Sequence, residues 1–177
     1  MNIATIEADY AVLSDTDTVR LQRTLPGPVE RVWQYLTDSD LRRQWLAAGD
    51  MDPGVDTPFE LVWRNDALTD PPGDRPDDFG GEHRMQGRII ECDPPRRLAF
   101  TWSGDSDVTI TLEPRGDDVL LTLVHRRLGD HNRVLMHSAG WHAHLDLLVD
   151  RVHGRRPEPF WNSWLALKAD YDARLPH

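Results

Sequence analysis

The stretch Thr24-Leu25-Pro26-Gly27-Pro28-Val29-Glu30-Arg31-Val32-Trp33 switches from one hydrophobic period to another at its Pro-Gly-Pro centre. Ahead of it, Val19, Leu21 and Leu25 alternate with Arg20, Gln22 and Thr24, the period-two pattern of a half-buried strand, and Arg23 interrupts the apolar face. Behind it, Val29, Val32, Trp33 and Leu36 recur at helical spacing. Pro28 suits the first helical position, where a missing N–H costs nothing. Thr37, Asp38 and Ser39 then offer cap chemistry for a second short helix whose Leu41, Trp45 and Leu46 face inward. One strand thus feeds two short helices.

Working outward, residues 47–58 read as a loop, and Phe59, Leu61 and Trp63 alternate as a second strand. Residues 65–82 are rich in Pro, Gly and Asp, so no core role is expected of them; the segment reads as a lid or a mobile insertion. Strands follow over 83–92, 98–103, 108–113 and 119–127, joined by connections short enough for antiparallel neighbours. Six strands are therefore expected. Their inward sets are Leu98, Phe100 and Trp102; Val108, Ile110 and Leu112; and Val119, Leu121, Leu123 and His125. Past Gly129 the period lengthens. Val134, Ser138, Trp141, Leu145, Leu148 and Val152 form the stripe of a long helix, capped by Asp130 and ended by Gly154. Phe160, Trp164, Leu167 and Tyr171 mark a last helix.

The layout is α+β, a curved antiparallel sheet covering one long helix, with a cavity natural between them. It divides into an N-terminal extension (1–16), a main domain (17–154) and a C-terminal helical extension packed on that domain (155–177). The chain has 177 residues and a formal net charge of −10, a field that repels phosphate backbones and makes nucleic acid an unsuitable partner. The single cysteine, Cys92, reads as an inert small hydrophobe in a reducing compartment. Residues 1–15 carry no basic, apolar leader pattern, and no stretch is apolar enough for a membrane span. A cytoplasmic protein is the expectation.

The opening stretch, then Leu41-Arg42-Arg43-Gln44-Trp45-Leu46, then Gly87-Arg88-Ile89-Ile90-Glu91-Cys92-Asp93-Pro94-Pro95-Arg96-Arg97-Leu98 with Phe100-Thr101-Trp102, then His125, Gly140-Trp141 and His144-Leu145 follow one another in order. In that order they resemble the SRPBCC or START-like helix-grip superfamily, and within it the family similar to the activator of heat-shock protein 90 ATPase. The resemblance spans residues 18–148 and departs at the long 65–82 loop. It implies a six-stranded sheet gripping the C-terminal helix, a ligand cavity, and links to stress response and a chaperone partner; a homodimer is also kept open.

On that fold the cavity walls draw on Trp33, Phe59, Trp63, Trp102 and His125 from a short helix and the strands, and on His137, Trp141 and His144 from the long helix. Indoles with a few convergent imidazoles suit a small apolar or aromatic ligand. His125 and His137 are also candidate proton-transfer groups for a cyclase- or dehydratase-type enzyme. No metal is expected: His137 and His144 share a helix face but stand about 10 Å apart, and His142 points elsewhere. No cofactor is implied. A binding module is preferred to an enzyme, because no nucleophile elbow or phosphate-binding glycine loop is present.

Overall fold

In the computed structural model, which describes residues 9–176, strand β1 (Val12–Ser14) leads into β2 (Thr18–Pro26). Pro28 sits at the cap rather than inside helix α1 (Val29–Thr37). Helix α2 (Ser39–Arg42) is a single turn, its start held by the Asp38 carboxylate accepting the Leu41 N–H at 3.1 Å. Strands β3 (Pro58–Trp63), β4 (His83–Asp93), β5 (Arg97–Thr101), β6 (Asp107–Arg115) and β7 (Asp118–Arg126) follow, then α3 (His131–His153) and α4 (Phe160–Arg174). The strands form one sheet in the order β1-β2-β7-β6-β5-β4-β3, every pairing antiparallel. The sheet has seven strands where six were expected. The seventh, β1, falls in the stretch read as an N-terminal extension, whose first eight residues lie outside those described.

Strand β1 escapes sequence reading because tertiary contacts make it, not its own pattern. Val12 is exposed. The Tyr171 hydroxyl accepts the Ala11 N–H at 2.7 Å, and Arg23 donates to the Asp9 carbonyl at 2.8 Å. Arg23, the interruption on the β2 face, is buried, and it also pairs with Asp146 of α3 at 3.1 Å.

The expected inward sets on β6 and β7 are buried, as is the whole predicted stripe of α3. Helix α3 buries more than one stripe, including Ala139, His142, His144 and Leu147, because α4 packs against its other side. Asp130 caps α3 by accepting the Arg133 N–H at 2.8 Å, and Gly154 ends it with φ +69°, a conformation glycine adopts without steric cost.

Around α2 the expected inward set is altered. Trp45 and Leu46 are buried, but Leu41 is only half-buried and Arg42 takes the interior position. Its guanidinium donates to the carbonyls of Ala47 and Leu36, both at 3.1 Å, of Thr37 at 3.2 Å, and of Gly49. Helix C-termini leave carbonyls without helical partners. Arg42 satisfies those of α1 and ties them to the following loop. Burial lowers its pKa to about 10, so it stays charged at neutral pH.

Residues 65–82 are largely exposed and irregular, but the segment is anchored to the core at its start and to the last helix. A 3-10 turn (Asn65–Ala67) opens the segment, and Leu68 and Thr69 are buried. The first N–H groups of α4, which have no partner within the helix, are taken by this segment: Phe160 N–H by Thr69 Oγ1 at 3.0 Å and Trp161 N–H by the Pro72 carbonyl at 3.0 Å. Asp66 accepts the Trp161 indole N–H at 2.8 Å and pairs with Arg75 at 2.6 Å. Among the described residues no helix is long and apolar enough to cross a membrane.

Candidate functional site

Helix α3 approaches the sheet over β2, and the concave face toward β3, β4 and β5 opens into a cavity of about 610 Å³. Its far wall is α4 and the end of the 65–82 segment. Five of the eight residues expected at a pocket line it: Trp63, Trp102, His137, Trp141 and His144. The other three lie elsewhere. Trp33 is half-buried on α1 and packs against the core from outside. Phe59 packs edge-on against Phe100 at 5.6 Å under a separate shallow depression. His125 is fully buried behind the cavity wall.

Trp102, just past the end of β5, is the centre of the wall. Its ring meets Trp63 at 5.5 Å, Trp141 at 5.4 Å, His125 at 5.1 Å and His137 at 6.0 Å between centroids, mostly edge to face. Period two on β3 and β5 turns Trp63 and Phe100 to the concave side, and helical spacing places His137, Trp141 and His144 on the face of α3 opposite.

The histidine protonation states follow from their partners. The Trp141 Nε1–H donates to His125 Nδ1 at 2.9 Å, so the neutral His125 ring carries its proton on Nε2. That proton is donated to Ser106 Oγ at 2.6 Å, and the Ser106 hydroxyl donates to the Arg126 carbonyl at 2.9 Å. Burial, reinforced by His137 and Arg133, drives the His125 pKa down to about 2. Both its nitrogens are engaged, and it positions Trp141 rather than facing the cavity. His137 and His144 differ. Each Nδ1 lies 2.8 Å from a backbone carbonyl, of Arg133 and Trp45 respectively, and a carbonyl can only accept, so each Nδ1 carries the proton. Burial lowers both pKa values, that of His144 to about 4. Two neutral imidazoles therefore offer unprotonated Nε2 atoms.

The mouth is polar. Arg84 bridges Glu60 at 2.8 Å and Glu82 at 3.1 Å, and Glu82 also meets Arg64 at 3.0 Å. The hydrogen bond from Arg84 leads the lowering of the Glu82 carboxyl pKa. Asp78 also lines the cavity. Among the described residues no three His, Cys, Asp or Glu side chains converge in a way that could hold a metal ion. Cys92 is half-buried outside the cavity, with burial raising its thiol pKa.

Four aromatic residues complete the wall that sequence reasoning did not assign to it: Phe79, Phe160, Trp161 and Trp164. Phe79 packs against Trp161 at 5.4 Å and Trp164 at 5.1 Å. The stripe containing Phe160 and Trp164 was visible as helix. What the sequence does not display is that the 154–159 connection folds α4 back across the open end of the sheet.

Residues 26–153 match the family described as Activator of Hsp90 ATPase homolog 1-like protein. Among solved structures, a protein from Bordetella parapertussis is 36% identical, with 94% of this chain and 90% of that one covered and a TM-score of 0.79. CalU16 from Micromonospora echinospora is 22% identical, covering 88% of this chain and 86% of its own, with a TM-score of 0.65. DynU16, a protein in the dynemicin biosynthetic locus, is 21% identical over 79% of this chain, with a TM-score of 0.63; the chain spans 48% of its length. The last two are likenesses of fold. No curated protein matches the chain.

Proposed function

Given that this chain belongs to the Activator of Hsp90 ATPase homolog 1-like family, we propose that it is a cytosolic binding module whose cavity takes a small apolar or aromatic ligand. The observation that carries this reading is the convergence of five of the seven tryptophans, Trp63, Trp102, Trp141, Trp161 and Trp164, on one open space of about 610 Å³. Trp63, Trp141, Trp161 and Trp164 are largely buried and Trp102 is half-buried. Here they wall a volume in the range of ligand sites, with a few polar groups set among them to orient a guest. A guest of about 20 heavy atoms at about 0.3 kcal/mol per atom would bind with about 6 kcal/mol, a Kd of tens of micromolar. The cytosolic assignment draws on the acidic, single-cysteine composition.

The test is a screen of aromatic and lipid-like compounds by intrinsic tryptophan fluorescence, backed by calorimetry. Saturable quenching or a spectral shift that disappears in Trp102→Ala supports the reading. Saturation that persists in a folded Trp102→Ala protein places the ligand elsewhere and overturns it.

A second reading, catalysis of cyclase or dehydratase type, draws on His137, the cavity imidazole beside Trp102. Incubating any ligand found in the screen and following its mass over time tests it: conversion abolished by His137→Gln supports catalysis, and an unchanged ligand opposes it. A chaperone partner and a role in stress response draw only on the family's description.

A further inference from the structure

The polar lining of the cavity is unequal in sign. The unprotonated Nε2 atoms of His137 and His144 are acceptors, because each ring has its proton fixed on Nδ1 by a backbone carbonyl. Asn65 adds an oxygen, Oδ1, that is buried without a hydrogen-bond partner among the described residues. Asp78 adds a carboxylate at the mouth, with no ion pair among those residues. The cationic side is neutralised: Arg84, the one arginine of the lining, is held between Glu60 and Glu82. Two indole N–H groups are also spent, Trp141 on His125 and Trp161 on Asp66. The remaining side-chain donors are the other indole N–H groups, the Ser103 hydroxyl, the Asn65 amide and the His83 ring, neutral groups that poorly replace the hydration of an anion.

The aromatic faces point the same way. The face of an indole carries negative potential and attracts a cation. The chain already uses one in this manner: Nζ of Lys168, the one lysine in the sequence, lies 5.5 Å from the ring centroid of Trp164, a cavity residue. The net charge of −10 concentrates cations and repels anions around the mouth. Burial lowers the pKa of His137 and His144, which keeps these two imidazoles uncharged near neutrality.

We infer that the ligand of this cavity is an organic cation, a protonated amine on an apolar or aromatic body, whose N–H groups meet acceptors of the lining, Asn65 among them, while its body lies among the indoles. The inference rests on the binding reading above and specifies its ligand class. Partial opening of the cavity to solvent leaves the ammonium some hydration, so the acceptors and ring faces have only the remainder to replace.

A matched set separates this inference from the reading beneath it: 2-naphthylmethylammonium, 2-naphthylmethanol, 2-naphthoate and 2-methylnaphthalene, titrated by calorimetry at pH 7 and low ionic strength. The expected order is ammonium first, about tenfold to thirtyfold tighter than the alcohol, with the carboxylate weakest. Asn65→Leu should weaken the ammonium several-fold and leave 2-methylnaphthalene unchanged. An alcohol that equals or exceeds the ammonium overturns the inference, as does a carboxylate that binds tightest. In either case binding of 2-methylnaphthalene leaves the apolar-ligand reading standing. If no member of the set binds, both fail together.

Discussion

Replacing Arg42 with Met keeps most of the side-chain stem and removes four hydrogen bonds from a charged donor. The guanidinium serves the carbonyls of Leu36 and Ala47 in buried surroundings and those of Thr37 and Gly49 in partly buried ones. Water can replace the bonds to the last two. The first two lose their partner where water is excluded, at about 1–3 kcal/mol each, so the expected destabilisation is about 4 kcal/mol. At about 2.1 cal/mol/K per residue, a chain of 177 residues loses about 11 °C of Tm for that amount. Arg42→Lys, with one compact ammonium in place of a planar fork, should recover only part of the loss. Arg43→Ala, one residue along and exposed, should change stability by less than about 0.5 kcal/mol. Urea unfolding and thermal melts of the three variants provide the assay. An Arg42→Met protein that melts within 2 °C of the parent would refute the assignment of Arg42 as the tie between α1 and the loop that follows.

Other consequences are equally direct. His125 and His144 have pKa values lowered by burial, to about 2 and about 4, so below pH 6.5 the unfolded chain binds protons that the folded one does not. Stability should therefore fall as the pH drops through 6.5, by about 2 kcal/mol for each of the two between pH 7 and pH 5; urea midpoints that do not move over that range would contradict the assignment. Trp141→Phe strips buried His125 Nδ1 of its donor and should cost about 1–3 kcal/mol beyond the lost packing, which a His125→Phe background should largely remove. Gly49 has φ +129° and its backbone lies against the Glu60 carbonyl, so Gly49→Ala should destabilise by at least about 3 kcal/mol in urea, and a neutral result would show the turn to be less constrained. Asp66→Ala frees the Trp161 indole N–H and Arg75, and proteinase K should then cut within 70–82 sooner than in the parent; equal rates would show that the other contacts suffice to hold the segment.

The order of strands and the long helix could be read from the chain because each element there states its own period: the alternation through β6 and β7, and the 4, 3, 4, 3, 4 spacing that puts Val134 to Val152 on one side of α3. Reading failed where partners far along the chain decide the structure. Strand β1 exists through Tyr171 and Arg23, more than local pattern can declare. Arg42 looks like any surface cation on a short helix until the carbonyls of the next loop turn back on it. The cavity was half legible. Trp63, Trp102 and Trp141 announce themselves by period. Trp161 and Trp164 enter through the fold-back of α4, and Phe79 through a segment whose Pro, Gly and Asp content describes a solvated loop. His125 shows the converse limit: period placed it correctly on the concave face, but only its bonds to Trp141 and Ser106 reveal it as buried support.

The proposed binding site is the tryptophan-lined cavity. The seven indole N–H resonances in a 15N-labelled sample test it directly, because five belong to cavity residues and two, Trp33 and Trp45, lie outside as internal controls. Titration with 2-naphthylmethylammonium or 2-methylnaphthalene should move the signals of Trp63, Trp102, Trp141, Trp161 and Trp164 in a saturable way and leave Trp33 and Trp45 in place. Shifts centred on Trp33 or Trp45, or seven signals that stay fixed to saturating ligand, would contradict it.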